Sequence, residues 1–463
     1  MTYSRLNPGQ CAAGLLILAI GIALMLIAQR RDWRPSLALA IYIALVLRLA
    51  MLALTWRTQP YDLANDFQTA GWDVLHHQDP IINTRQNGWG SLPPYAFMLA
   101  AAYWASVHLH INWLIIARIP AILSDLGVVV LVGVVARAAG ERAALRRFQY
   151  ACCPLAIVVS GIHGQAEPFC FLFCLAAFAV ILRAGPQISG RRAAAAGVLF
   201  GLGVAAQTWP VVFGPALFLA VPAWRRRAQF TAGAAGILAL LFVSLPLTVG
   251  TPVARLPYIA TQFFETRPSF GTWGWGGLWL SMHPTKLPVW QDPLWLTAGA
   301  VGTKVAIACA LLAVWWWRRA HPLDIATATT TTLVALTPSF GTQYLLWQAP
   351  SAIARPARFS IALQVVLGVY AAMFYLPMEM LTYRNWEMAN ALMMLISIFV
   401  IAFMIAALPW ERRRWQPPAA AVPPGQGYLR RSHGPAPARS EDLRAAVPDI
   451  PGIGDQPEPG STG

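Results

Sequence analysis

Charge is scarce in this sequence. Only 11% of its 463 residues are charged, against about 25% in an ordinary soluble domain, which excludes a water-soluble globular chain. Acids are scarcer than bases, at 19 Asp and Glu against 34 Lys and Arg. Cysteine is sparse too. All six (Cys11, Cys152, Cys153, Cys170, Cys174 and Cys309) fall within apolar stretches, so no disulfide framework is implied. Cys170 and Cys174, one helical turn apart, read as small packing residues rather than metal ligands. No internal repeat is visible.

Long apolar runs dominate instead. Hydrophobic residues make up 57% of the chain. They gather into stretches near 11–28, 36–56, 114–136, 149–161, 168–183, 193–207, 209–224, 229–249, 293–317, 323–338, 344–354, 359–376 and 388–409. Successive apolar runs of this kind predict an all-α polytopic transmembrane bundle of about 13 spans. The net charge of +15 does not mark a nucleic-acid binder, because the basic residues sit in short clusters between the runs. Alternate loops hold Arg30, Arg31 and Arg34; Arg137, Arg142, Arg146 and Arg147; Arg183, Arg191 and Arg192; Arg225 to Arg227; Arg318 and Arg319; Arg355 and Arg358; and Arg412 to Arg414. Those are 20 of the 34 basic residues, against seven on the opposite face. The excess places the clusters in the cytoplasm. This reading requires that 93–110 (PPYAFMLAAAYWASVHLH) not span. Counting it would send every later Arg cluster outside, so it is expected to lie along the outer interface. Residues 1–35 read as an extra N-terminal anchor, 36–410 as the main transmembrane domain, and 411–463, rich in Pro, Gly and Ala, as a disordered cytoplasmic tail.

The polar residues collect in the outer loops 57–113, 160–168, 250–292 and 338–344. The first carries Asp62, Asp66, Asp73, Asp79, His76 and His77. The second is a tight hairpin tip, SGIHGQAEP, with His163, Gln165 and Glu167. A further short hairpin holds Gln207 and Trp209, expected to line a cavity below the outer surface. The loop at 250–292 supplies Arg255, Arg267, Trp273 and Trp275, and the turn near 340 supplies Gln343 and Tyr344. Inside the spans, Arg118 is placed to meet an anion near the outer interface. Asp125, two turns further on, is expected to pair with Arg48 or with polar helix contacts.

Acids, an anion site and stacking aromatics above a membrane groove suit transfer of a sugar from a lipid phosphate. Phosphate leaves readily, so the reaction needs a base for the acceptor hydroxyl and cations for the departing phosphate. Asp66 is the candidate base, with Asp62 as runner-up. Arg267, Arg118 and Arg255 are candidates for the phosphate. His163, Gln165, Glu167, Gln207, Trp209, Trp273, Trp275, Gln343, Tyr344 and His76 are candidates for the substrate. One carboxylate suffices for direct displacement with inversion. An enzyme using a nucleotide sugar would want a metal-binding Asp-x-Asp and a cytoplasmic soluble domain. Here Asp62 and Asp66 are four apart, and neither a metal nor another cofactor is expected.

The ordered segments NDFQTAGWDVLHHQDPI, GSLPPYAFMLAAAYW, ARIPAILSDLGVVVLVGVVAR, CPLAIVVSGIHGQAEPF, GLGVAAQTWPVVFGPALF and SFGTQYLLWQAP resemble the GT-C superfamily of polyprenyl-phosphate-sugar glycosyltransferases. The resemblance covers roughly residues 40–360. It is strongest to the bacterial polyprenyl-phosphate-mannose-dependent α-mannosyltransferases. It implies that Asp66 matches the catalytic Asp of the first outer loop and that the Pro-Pro helix is juxtamembrane. The chain departs from the family pattern at His163, where Trp is common, and at Gln207, where Lys is common. The resemblance further implies a polyprenyl-phosphate sugar donor, a glycan or glycolipid acceptor, membrane lipids as surroundings and a site facing away from the cytoplasm of a bacterial inner membrane. The rival readings are a flippase for lipid-linked sugars and a ligase for preassembled glycans.

Overall fold

Helix boundaries follow local signals. Asn7 and Gln10 form a reciprocal capping box around Pro8, which opens α1 (Pro8–Arg31), and Ser36 caps α2 (Leu37–Thr55) through Leu39 N. Each cap satisfies amide groups that a helix start leaves bare. The computed structural model describes residues 6–83, 91–264, 273–283, 291–411 and 415, the side chains at 82, 83, 262–264, 383 and 384 excepted. Arg267 and the tail beyond 415 lie outside the described residues. Among the described residues there is no strand, so the protein is an all-α polytopic bundle.

After α2 a π-helical turn at Asp62–Asp66 leads into α3 (Phe67–Leu75), and Pro94–His108 forms α4. The next long helix is α5 (Ile119–Ala138), followed by α6 (Ala143–Ala151). A short turn at Pro154–Val158 and a second π turn at Val159–His163 lead to α7 (Glu167–Ala184). Then come α8 (Gly190–Ala206), α9 (Trp224–Val243), α10 (Pro293–Trp317), α11 (Pro322–Leu336), α12 (Ser360–Tyr375) and α13 (Tyr383–Ala406).

Seven segments of the described chain are long and apolar enough to cross a membrane: Pro8–Arg31, Leu37–Thr55, Trp113–Ala138, Glu167–Gln187, Pro293–Trp317, Ser360–Met380 and Asn385–Ala406. The stretches expected at 149–161, 209–224 and 344–354 are broken into short helical pieces. Pro154, Pro210 and Pro350 stand at or near their starts and cannot continue an incoming helix. The run at 94–108 is helical as expected, and α3 lies against it so closely that a Cβ on Gly71 would come 2.8 Å from Leu99 O.

Arg48 of α2 and Asp125 of α5 are fully buried and pair at 2.5 Å. Asp125 also accepts from Tyr150 Oη at 2.7 Å, and Arg48 Nη1 donates to Ala44 O and Ala151 O. Arg48 therefore does not reach for the surface; the cluster ties α2, α5 and α6 together. A buried pair adds little net stability against apolar packing, but breaking one side leaves an uncompensated charge costing about 3–5 kcal/mol. Asp125→Leu should lower stability by about that much in a detergent unfolding assay, and adding Arg48→Met should recover a substantial part. A single substitution with no loss would refute the role assigned to the pair.

Candidate active site

Six of the helices share a polarity. Each of α2, α5, α7, α8 and α11 has an Arg cluster near one end and a candidate site residue near the other, and α12 has Arg355 and Arg358 before its start and Tyr375 at its end. Chain direction alone thus gathers the loops after α2, before α7, after α8 and after α11 at one end of the bundle.

Two π turns meet there. Such turns are uncommon and recur at functional sites. The first carries Asp62 and Asp66; the second ends at His163. Arg118, just before α5, braces the second. Its Nε donates to Ile162 O, Nη1 to Trp56 O and Leu114 O, and Nη2 to Thr58 O and Thr58 Oγ1. All five guanidinium N–H groups therefore have protein acceptors and none is left to meet a phosphate. Arg118 is fully buried, answering backbone carbonyls that irregular turns leave open. Trp113 Nε1 holds Leu63 O at 2.8 Å, and Tyr95 Oη reaches Gly164 O at 3.3 Å. Gly164 sits at φ 71° with Arg118 Cγ only 2.8 Å from where its Cβ would be, so this turn requires glycine.

The bracing sets out a network. Gln165 Nε2 donates to Asp62 Oδ2 at 2.5 Å and lies 2.8 Å from His163 Nε2; His163 Nδ1 lies 2.5 Å from Tyr375 Oη. His163 Nε2 is 3.6 Å from Asp62 Oδ2, an electrostatic contact rather than a hydrogen bond. Burial acts to raise the Asp62 carboxyl, but the His163 and Gln165 groups beside it outweigh that and hold it below the usual carboxylate range.

Asp66 is half-buried, and its carboxylate accepts no hydrogen bond among the described residues. Desolvation, with the charge of Asp62 close by, pushes its carboxyl up to about 6. Two carboxyls one π turn apart are thus driven in opposite directions, the pattern that separates a working base from a supporting anion.

Glu167 is buried against this group, with the Trp347 indole N–H beside its carboxylate. Trp347 stacks on Trp209 at 4.2 Å and 6°, and Tyr344 lies 4.7 Å from Trp347. Gln207 accepts from Trp209 Nε1 at 2.7 Å. Desolvation, with Glu167 and Asp62 nearby, pushes the Tyr344 phenol up to about 12, so it stays a hydroxyl. Gln343 sits in the same turn, its amide folded over Gly341.

Other expected residues stand apart. His76 is exposed, stacked on Trp72 and bonded to Trp72 O. Trp273 donates to Asn390 and packs on Phe374; Trp275 donates to Leu336 O. Both Trp are used to seat their loop against α11, α12 and α13 instead of facing Asp62. Arg255 is exposed at the turn Val253–Arg255. Sequence reasoning did not single out Tyr375 or Trp347, which contact His163 and Trp209. Trp347 lies in the SFGTQYLLWQAP segment, three residues beyond Tyr344, so a helical spacing pointed to it. Tyr375, at the end of an apolar run, reads as an ordinary interfacial aromatic.

Residues 156–340 match Glycosyltransferase family 87. That range covers the hairpin tip and the Gln207–Trp209 turn and stops short of Tyr344; Asp62 and Asp66 lie before it. Comparison with curated proteins gives no match. The family match and the helical bundle together give the chemical class, a membrane glycosyltransferase.

The two readings of Arg118 separate experimentally. Arg118→Met should destabilise the protein by about 3 kcal/mol or more by leaving buried carbonyls unanswered. An unchanged melting temperature combined with a raised KM for donor would restore the phosphate role.

Proposed function

We propose that the protein is an inverting glycosyltransferase that moves a sugar, mannose by resemblance, from a polyprenyl-phosphate donor to a lipid or glycan acceptor. The observation that carries this reading is the pair of carboxyls at the π turn: Asp62 held ionised by the Gln165 amide with His163 close by, Asp66 unbonded and raised to about 6. In the proposed reaction Asp66 takes the proton of the acceptor hydroxyl as that oxygen attacks the anomeric carbon. The bond from that carbon to the phosphate oxygen breaks, and the polyprenyl phosphate leaves with the electron pair. Glu167 and Trp347 would hold a sugar hydroxyl, and Trp209, Trp347 and Tyr344 would present aromatic surface to the ring. Arg255, with Arg267 outside the described residues, is assigned to the leaving phosphate. The Arg distribution supports a site on the extracytoplasmic face of a bacterial cell membrane, with 1–35 as an added anchor and 411–463 as a cytoplasmic tail.

The pH dependence follows from Asp66. A base works deprotonated, so transfer should rise with pH through a midpoint near 6 and fall about tenfold per unit below it. A midpoint below 4 would point to Asp62 instead. Asp66→Asn should reduce transfer from mannosyl polyprenyl phosphate by about 100-fold or more. It should not harm the fold. A carboxyl raised from 3.8 to about 6 favours the folded state below pH 4, and that contribution is lost as pH rises through 6, so removing the charge at pH 7 leaves stability equal or higher. Near-normal turnover by Asp66→Asn would sink the proposal, and product masses showing a whole glycan, or substrate movement without product, would favour the ligase or flippase.

A further inference from the structure

At the end of the bundle opposite Asp62, the structure has a cavity of about 600 Å³ walled by Pro186, Gly190, Ala223, Arg225, Arg226 and Gln229. It lies where the loops before α8 and before α9 meet. These two helices run parallel: Gly190 packs on Gln229, Gly197 on Phe230 and Ala234, and Gly201 on Ala234 and Ile237. Arg226 Nη1 is pinned to Pro186 O at 2.8 Å, which fixes its guanidinium on the wall. Arg225 is exposed and makes no hydrogen bond among the described residues. Among the described residues no acid lines the cavity. Two arginines and an amide thus line a hollow whose electrostatics favour an anion, and the parallel helix starts add to the same field.

The surroundings indicate the source of that anion. Trp224, beside the cavity, is 73% exposed, and further along α9 Leu240 (60%) and Val243 (61%) are exposed as well. An exposed Trp next to arginines, above an apolar helix face, is the pattern of a membrane interface. Basic pockets between helices at such an interface hold phosphate headgroups. We propose that this cavity seats the phosphate of an anionic membrane lipid, held by Arg225 and Arg226, with its acyl chains along the outer face of α9. The site lies away from the acid cluster and does not depend on the catalytic reading.

The test is native mass spectrometry of the full-length protein, released from nanodiscs holding equal amounts of phosphatidylglycerol and phosphatidylcholine. The wild type should retain phosphatidylglycerol selectively. Arg225→Gln, which removes no internal hydrogen bond, should cut that selectivity about fivefold, and Arg225→Gln with Arg226→Gln about 30-fold. The pair Arg191→Gln and Arg192→Gln, equal in charge change but off the cavity wall, should leave it unchanged. An equal loss in that control pair would reduce the effect to diffuse charge and overturn the site. So would a wild type without lipid preference. Displacement of the lipid by excess inorganic phosphate would reassign the cavity to a soluble phosphate and overturn the lipid assignment.

Discussion

The Arg118 guanidinium is the contact on which the geometry of the site depends. Its five N–H groups collect carbonyls from Trp56, Thr58, Leu114 and Ile162, together with the Thr58 hydroxyl. These acceptors belong to the end of α2, the start of the Trp113–Ala138 segment and the π turn before Gly164. Each segment breaks regular hydrogen bonding just where it must, and a buried carbonyl without a partner is costly. One planar side chain with a fixed fork of donors answers several of them at once. The second π turn is thereby tied to the chain just after α2, Trp113 Nε1 holds the first at Leu63 O, and Asp62 meets Gln165 between them.

That arrangement gives two similar carboxyls different surroundings. Asp62 has a close amide donor and a histidine neighbour; Asp66 has neither and keeps open lone pairs. The difference does not lie in residue type. It follows from which side of the π turn faces the hairpin tip, and the turn places Asp66 near enough to feel the charge of Asp62.

The bundle has a chemical polarity along its axis. Acids, amides and aromatics gather at one end, and arginines at the other. At the Arg-rich end several charges are internally compensated: Arg146 with Glu141, Arg355 with Asp324, and Arg34 and Arg142 with Asp32. Arg225 has no such partner among the described residues, so the cavity before α9 stands out from its surroundings.

Much of this was legible in the residues. Apolar runs gave the helical class, Arg spacing gave the polarity of the bundle, and a turn as short as SGIHGQAEP with three polar side chains marked His163, Gln165 and Glu167. These are local properties, set by composition and period along the chain. The roles of Arg118, Tyr375, Trp273 and His76 were not legible. Arg118 near a helix start looks the same in sequence whether it meets a phosphate or four carbonyls, and Tyr375 meets His163 across 212 positions of chain. Which donor finds which acceptor is decided when distant segments pack, because a hydrogen bond is specified by the position and direction of its two atoms, and sequence spacing encodes neither once the chain has turned.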